Sequence, residues 1–200
     1  MKVSMESFIT KEPPLAIIIV GDGREDIKVL EAIGEKLDHE SFLVYSRLVG
    51  RIGLVGAADS LSELVSRIKA VSRYLVVIDR EHIRDVKDFE LVLQSRGFRI
   101  LEKKSCYDVL CWRFIVEKGD RRVVVMLSIQ GRERCIEENE AELIRLCLGE
   151  TVAADKKSIR ELLRRRSTGS VKDLIKQCND KALELAFTSL IHALNEIKYM

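Results

Sequence analysis

Proline is nearly absent. Pro13 and Pro14 are the only two in 200 residues, and they close a lead of residues 1–14. Histidine is scarce too, with three residues beside five cysteines. The cysteines, at 106, 111, 135, 147 and 178, contain no C-x-x-C, so no structural zinc pattern forms. They are expected as small buried hydrophobes, with Cys106 and Cys111 the pair to consider for a disulfide. Long apolar runs are missing. The longest, Leu15-Ala16-Ile17-Ile18-Ile19-Val20, is far short of the roughly 20 residues of a membrane span. The lead carries Glu6, Lys11 and Glu12 and has no apolar segment of the signal-peptide kind. A soluble, cytoplasmic protein with no membrane partner is expected. Excess charge is also missing: Lys and Arg number 34 against 32 Asp and Glu, a formal net of +2. That balance excludes a histone-like polycation and leaves nucleic-acid binding to local patches. Asn and Gln together number only six while charge is 33%, which points to a thermophilic source.

What is present is enough for a core: 46% of residues are hydrophobic. Leu15–Val20 lacks alternation and suits a parallel strand buried on both faces. Gly21-Asp22-Gly23 breaks it, and Ile27, Leu30, Ile33 and Leu37 then follow at helical spacing. A second strand is expected over Phe42–Leu48. Gly50, Gly53 and Gly56 read as a loop, with a helix beginning near Asp59 or Ser60 and Glu63 completing a capping box. Tyr74–Ile78 reads as a third strand, ending in Asp79-Arg80-Glu81. Asp85 to Ser95 reads as a helix stopped by Gly97, and Phe98–Glu102 as a strand. Trp112–Glu117 and Arg121–Ser128 read as a hairpin. From Glu133 the chain is expected to be helical, ending in one helix from Lys181 to Lys198. The alternation predicts a doubly wound, mostly parallel, Rossmann-like α/β sheet over 15–150, with a helical extension over 151–200. The apolar stripe Leu183, Ala186, Phe187, Leu190, Ile191, Leu194 and Ile197 must be buried, on that domain or in a homodimer seam.

Three carboxylates fall at strand ends, where open α/β sheets bind ligands: Asp22 after the first strand, Asp79 and Glu81 after the third. If the third strand persists, Asp79 and Glu81 share one side. Clustered hard oxygens suit Mg²⁺, which takes one or two carboxylates and fills its sphere with water and phosphate. Such an ion polarises a phosphoryl oxygen and activates water. Gly23 allows the backbone to approach a phosphate beside a helix N-terminus. Gly21-Asp22-Gly23-Arg24-Glu25-Asp26 also approximates a dinucleotide loop. Asp26, however, stands where a small residue is needed, and Arg47 rather than an acid ends the second strand.

The run Ile18-Ile19-Val20-Gly21-Asp22-Gly23-Arg24-Glu25-Asp26 resembles the first motif of Toprim domains, a hydrophobic strand followed by Glu-Gly-x-x-Asp. Gly56-Ala57-Ala58-Asp59-Ser60-Leu61 resembles the small-residue turn that opens their second helix. Val76-Val77-Ile78-Asp79-Arg80-Glu81 is similar to their Asp-x-Asp strand end. Ile136-Glu137 is similar to the Ile-Glu region of Toprim-like proteins related to the OLD nucleases. The resemblance spans residues 15–145 and implies Mg²⁺-dependent (or Mn²⁺-dependent) breaking or joining of phosphodiester bonds. Asp22 falls where the family's Glu acts as acid/base or ligand, Asp79 and Glu81 fall on its metal-binding pair, and Glu137 is a further candidate ligand. The chain departs twice, with Asp at the first Glu and Glu at the second Asp. Each change moves a carboxylate by one methylene.

A basic segment, Lys156, Lys157, Arg160, Arg164, Arg165, Arg166 and Lys172, is the best footprint for DNA or RNA. Arg160, Arg164 and Arg165 are its central candidates, and Arg51 is a second candidate for phosphate contact. The acidic run Glu133, Glu137, Glu138, Glu140 and Glu142 reads as a mostly exposed helix face. The leading expectation is a metal-dependent nuclease. The alternatives are a non-catalytic nucleotide- or nucleic-acid-binding module and an oligomer-forming structural subunit.

Overall fold

The structure, a computed structural model, describes residues 2–3, 13–21, 24–39, 41–46, 53–106 and 108–200. Asp22, Gly23, Arg47 and Arg51 lie outside the described residues. The strands are β1 (Lys2–Val3), β2 (Ala16–Val20), β3 (Phe42–Ser46), β4 (Arg73–Asp79), β5 (Arg99–Ser105), β6 (Cys111–Lys118) and β7 (Arg121–Gln130). The helices between them are α1 (Arg24–Lys36), α2 (Gly53–Arg67) and α3 (Val86–Ser95). After β7 come α4 (Ile136–Leu148), α5 (Lys156–Arg165), α6 (Val171–Gln177), α7 (Asp180–Ala186) and α8 (Thr188–Tyr199). The strands form one sheet in the order β1-β3-β2-β4-β7-β6-β5. The first five run parallel, and β6 and β5 complete the edge antiparallel. The fold is α/β with a mostly parallel mixed sheet.

Alternation sorts the central strands between two cores. Ala16, Ile18 and Val20 of β2, with Leu75 and Val77 of β4, face α1 and the helices after β7. Ile17 and Ile19, with Tyr74, Val76 and Ile78, face α2 and α3. Both faces of β2 and β4 are thus dry, which is why their sequences lack an alternating polar residue. The stripe Leu183 to Ile197 is buried within the chain, sharing a core with β2 and β4. Among the described residues no helix is long and apolar enough to cross a membrane.

Three local expectations are corrected. First, α2 starts at Gly53, not near Ser60. Gly53 adopts φ +69°, and a Cβ there would lie 2.9 Å from the His82 ring. Its N–H donates to the Gly21 carbonyl at 2.6 Å, which ties the start of α2 to the end of β2. Gly56, Ala57 and Ala58 lie inside this helix and are buried, so small size serves close helix–sheet packing rather than a turn. Ser60 donates back to the Gly56 carbonyl at 3.0 Å instead of capping. Second, the final helix is two, α7 and α8, divided at the buried Phe187. The Thr188 hydroxyl donates to the carbonyls of Glu184 and Leu185 across the break. Third, the disulfide joins Cys147 to Cys178, 31 residues apart, while Cys106 and Cys111 are free thiols. Helix packing brings the distant pair together, which spacing along the chain does not reveal. The Cys111 thiol donates to the Cys106 sulfur and is buried, and both effects push its pKa up.

Candidate functional site: strand-end carboxylates beside a basic cleft

Asp79 is the last residue of β4, opposite Gln130, the last of β7. By alternation it lies on the face of Leu75 and Val77, toward α4. It is 7% exposed, and its Oδ1 accepts the backbone N–H of Ile136 at 3.1 Å. Ile136 opens α4, whose own N-cap residue, Cys135, makes no side-chain cap bond. Asp79 therefore caps α4 from another element, and its charge complements the positive end of that helix.

Glu81 does not join it. β4 ends at Asp79, and Arg80–His82 turn as a 3₁₀ helix. The Glu81 N–H donates to the Arg134 carbonyl at 2.7 Å, and Ile83 N–H closes the turn on Arg80 at 3.2 Å. The Glu81 side chain is 42% exposed, 3.9 Å from His82 Nε2 and 4.0 Å from the Arg134 guanidinium. The shared side expected from strand alternation is thus not formed, because the strand stops two residues earlier.

The acidic run of α4 is not an exposed face either. Glu137 and Glu140 are buried, and Glu138 folds the loop before the helix. The Glu138 carboxylate accepts the N–H groups of Arg132, Glu133 and Arg134 at 2.8, 3.0 and 2.8 Å. Glu137 pairs with Lys156 at 3.2 Å. Burial pushes its pKa up, but the Cys135 thiol, the residue's own N–H and the Lys156 ammonium together outweigh burial and hold the carboxyl below its usual range. Burial, and next the bond to Glu137, push the Cys135 thiol up to about 12. Cys135 therefore stays a neutral donor to an ionised Glu137.

Gln130, which sequence reading missed, is 1% exposed. Its amide nitrogen donates to Ser128 Oγ at 2.7 Å, and Ser128 meets Ser189 of α8 at 2.9 Å. Its Oε1 is buried without a hydrogen-bond partner among the described residues. Glutamine at the end of an apolar strand carries no chemistry until the fold sets it beside Asp79.

Joined to this group through the Glu137–Lys156 pair, a cleft of about 630 Å³ is enclosed by α1, α4, α5 and the approach to α6. Lys28, Lys156, Arg160, Arg164 and Lys172 line it, together with Glu140. Positions 156, 160 and 164 share one helix face at four-residue steps. Arg165 lies on the same helix but does not line the cleft, and Arg166 pairs with Glu150 instead. Asp155 caps α5, accepting the N–H groups of Lys157 and Ser158 at 3.0 and 2.9 Å. Lys28 and Glu140 were not legible as site residues, since they come from helices distant in sequence. Ten of the thirteen lining residues lie between Cys147 and Cys178, so the disulfide closes the loop that forms most of the wall. The α1 wall is fastened at the same point. Lys36 Nζ donates to the Cys178 carbonyl at 2.5 Å and to that of Lys176 at 3.2 Å, and Glu35 pairs with Lys172 and Lys176.

Asp79 supplies an oxygen donor of the kind Mg²⁺ takes, and one or two carboxylates suffice for that ion. Among the described residues, however, no group of three or more His, Cys, Asp and Glu is placed to hold a metal. The remaining member of the expected set, Asp22, falls outside them. Comparison with known protein families, curated proteins and solved structures finds no match to this chain.

Proposed function

We propose that this protein is a Toprim-like module that binds the phosphates of a nucleic acid or nucleotide in the basic cleft, beside the acidic strand ends. One observation carries the reading. Lys156 lines the cleft and pairs with Glu137, one residue from Ile136, whose N–H is held by Asp79. Cation and carboxylate thus meet at the carboxyl end of the parallel strands, where α/β sheets take ligands. Arg160 and Arg164 hold phosphate through their guanidinium forks. Gly23 and Arg51, which follow β2 and β3 in the sequence and lie outside the described residues, are assigned to the same phosphates. Arg165 lies on α5 outside the lining and takes no part in holding the phosphates.

The test is binding of labelled oligonucleotides and nucleotides as salt is raised. The reading expects affinity that falls with salt and is lost in the double variant Arg160→Glu, Arg164→Glu. Undiminished binding in that variant, or no binding of any phosphate ligand at low salt, contradicts it.

A second reading is Mg²⁺-dependent phosphodiester hydrolysis, favoured by the placement of Asp79 at the end of β4. Asp79 and Asp22 would hold the ion, and Glu137 would support it. The bound ion would supply Lewis-acid polarisation of the phosphoryl oxygen. The chain's own contribution is to orient the phosphate with Arg160 and Arg164. The turn that carries Glu81 outward weighs against a full metal pair at 79 and 81. Cleavage with Mg²⁺ or Mn²⁺ that is lost in Asp79→Asn supports hydrolysis, and cleavage that survives Asp79→Asn removes the assignment.

A further inference from the structure

The basic cleft has the size of a small-molecule pocket. Pockets for such ligands span roughly 300–1,000 Å³, and this one measures about 630 Å³. Its cations are concentrated. Lys156, Arg160 and Arg164 run along about 12 Å of one helix face, and Lys28 and Lys172 line the same space from other helices. Arg164 makes no ion pair among the described residues, so its planar fork is open to a phosphate.

The rest of the lining is not cationic. Val29, Ile159, Leu163 and Val171 give it apolar walls. Glu140, 7% exposed, is the one carboxylate among the lining residues. A carboxylate disfavours a phosphate placed beside it and accepts hydroxyl groups, so hydroxyls suit the part of the lining that Glu140 supplies. Phosphates belong by the arginines of α5, and a hydroxylated, partly apolar body belongs by Glu140 and the aliphatic wall. A duplex presents phosphates on a convex, hydrated cylinder and has no such end to insert.

We propose that the cleft is a pocket for a nucleoside polyphosphate. The proposal rests on the reading that the cleft binds phosphate, and it narrows the ligand from nucleic acid in general to a single nucleotide. Four probes test it by titration calorimetry: ATP, inorganic tripolyphosphate, a single-stranded decanucleotide and a duplex of the same length. ATP is expected to bind one to one and more tightly than either oligonucleotide. Arg164→Glu is expected to weaken ATP about tenfold or more, the loss of a charge-assisted contact. Arg165→Glu, with the same charge change on the same helix but away from the lining, is expected to leave ATP affinity within about twofold. Glu140→Gln is expected to weaken ATP but not tripolyphosphate, and the latter doubles as a check that the variant is folded. Equal weakening by the 164 and 165 variants overturns the pocket, as does tripolyphosphate loss matching ATP loss in Glu140→Gln. Tighter binding of an oligonucleotide than of ATP overturns the narrowing and leaves the phosphate reading standing. No binding of any probe overturns both.

Discussion

On the α2/α3 side of the sheet, two polar groups are buried among the described residues: the Ser60 hydroxyl, which returns to its own helix, and the Tyr74 hydroxyl, which donates to the Val71 carbonyl at 3.2 Å. The opposite side, under α1 and α4–α8, buries eight: Asp26, His39, Asp79, Ser128, Gln130, Glu137, Glu140 and Ser189. Burying polar groups costs free energy unless they are paired. A fold that concentrates them on one face keeps the other as support. The dry side is held by aliphatic packing and the edge-to-face pair Phe89–Phe114, with centroids 5.3 Å apart. The side that buries polar groups holds the α4 cap, the Glu137–Lys156 pair and the cleft. The disulfide also sits there, fastening helices whose inner surfaces are less purely apolar.

The sharpest way to break this contrast is to damage the dry side. Phe114→Ala is expected to cost about 3–5 kcal/mol of stability in chemical denaturation. The protein that remains folded should keep its full affinity for ATP. A large affinity loss at matched folded fraction would mean that the two sides are not separable.

Cutting the staple is next. Closing a loop of 31 residues stabilises by about 3–4 kcal/mol through the unfolded chain. Cys147→Ser with Cys178→Ser, or a dithiol reductant, should lower the melting temperature by that equivalent and weaken ATP. An equal loss of stability with unchanged ATP affinity would show that the wall stands without its staple.

The His39 ring is stacked on Phe42 at 4.9 Å, and neither ring nitrogen has a hydrogen-bond partner among the described residues. Burial, reinforced by the Lys198 charge, lowers its pKa from 6.5 to about 4. Below about pH 6.5 the unfolded chain takes up the proton first, so stability is full above that pH. It then falls until the folded ring also protonates near pH 4. The loss reaches about 3 kcal/mol at most. Denaturation at stepped pH should show this slope between 6.5 and 4, and His39→Leu should remove it.

Asp79→Ala should cost about 1–2 kcal/mol through the lost α4 cap. Asp79→Asn keeps an acceptor and should cost less. Equal costs by calorimetric melting would mean that charge at the helix end, not the hydrogen bond, carries the contribution. The smallest effect is expected at Arg165→Ala, within about 0.5 kcal/mol.

The support side was the more legible in the sequence. Unbroken β-branched runs mark β2 and β4 because nothing but apolar packing acts on them. Asp85 and Gly97 bracket α3, since a cap and a stop are local signals. The start of α2 was not legible. Gly53 and Gly56 read as loop residues, but the close approach of Gly53 to Gly21 and His82 comes from tertiary contacts. On the functional side, the position of Asp79 followed from pattern, but its bond to Ile136 joins residues 57 apart. The burial of Glu137 depends on Lys156 arriving from α5. Cys147 and Cys178 looked unrelated for the same reason. Four of the seven residues of the basic segment line the cleft, three of them because a helical face, not a run of charge, selects 156, 160 and 164.

Hydrogen–deuterium exchange with and without ATP tests the division of labour most directly. Added protection is expected over residues 156–172 and 24–36, with unchanged exchange over α2 and α3. Protection over 53–67 and 86–95, or no change anywhere at saturating ATP, would contradict it.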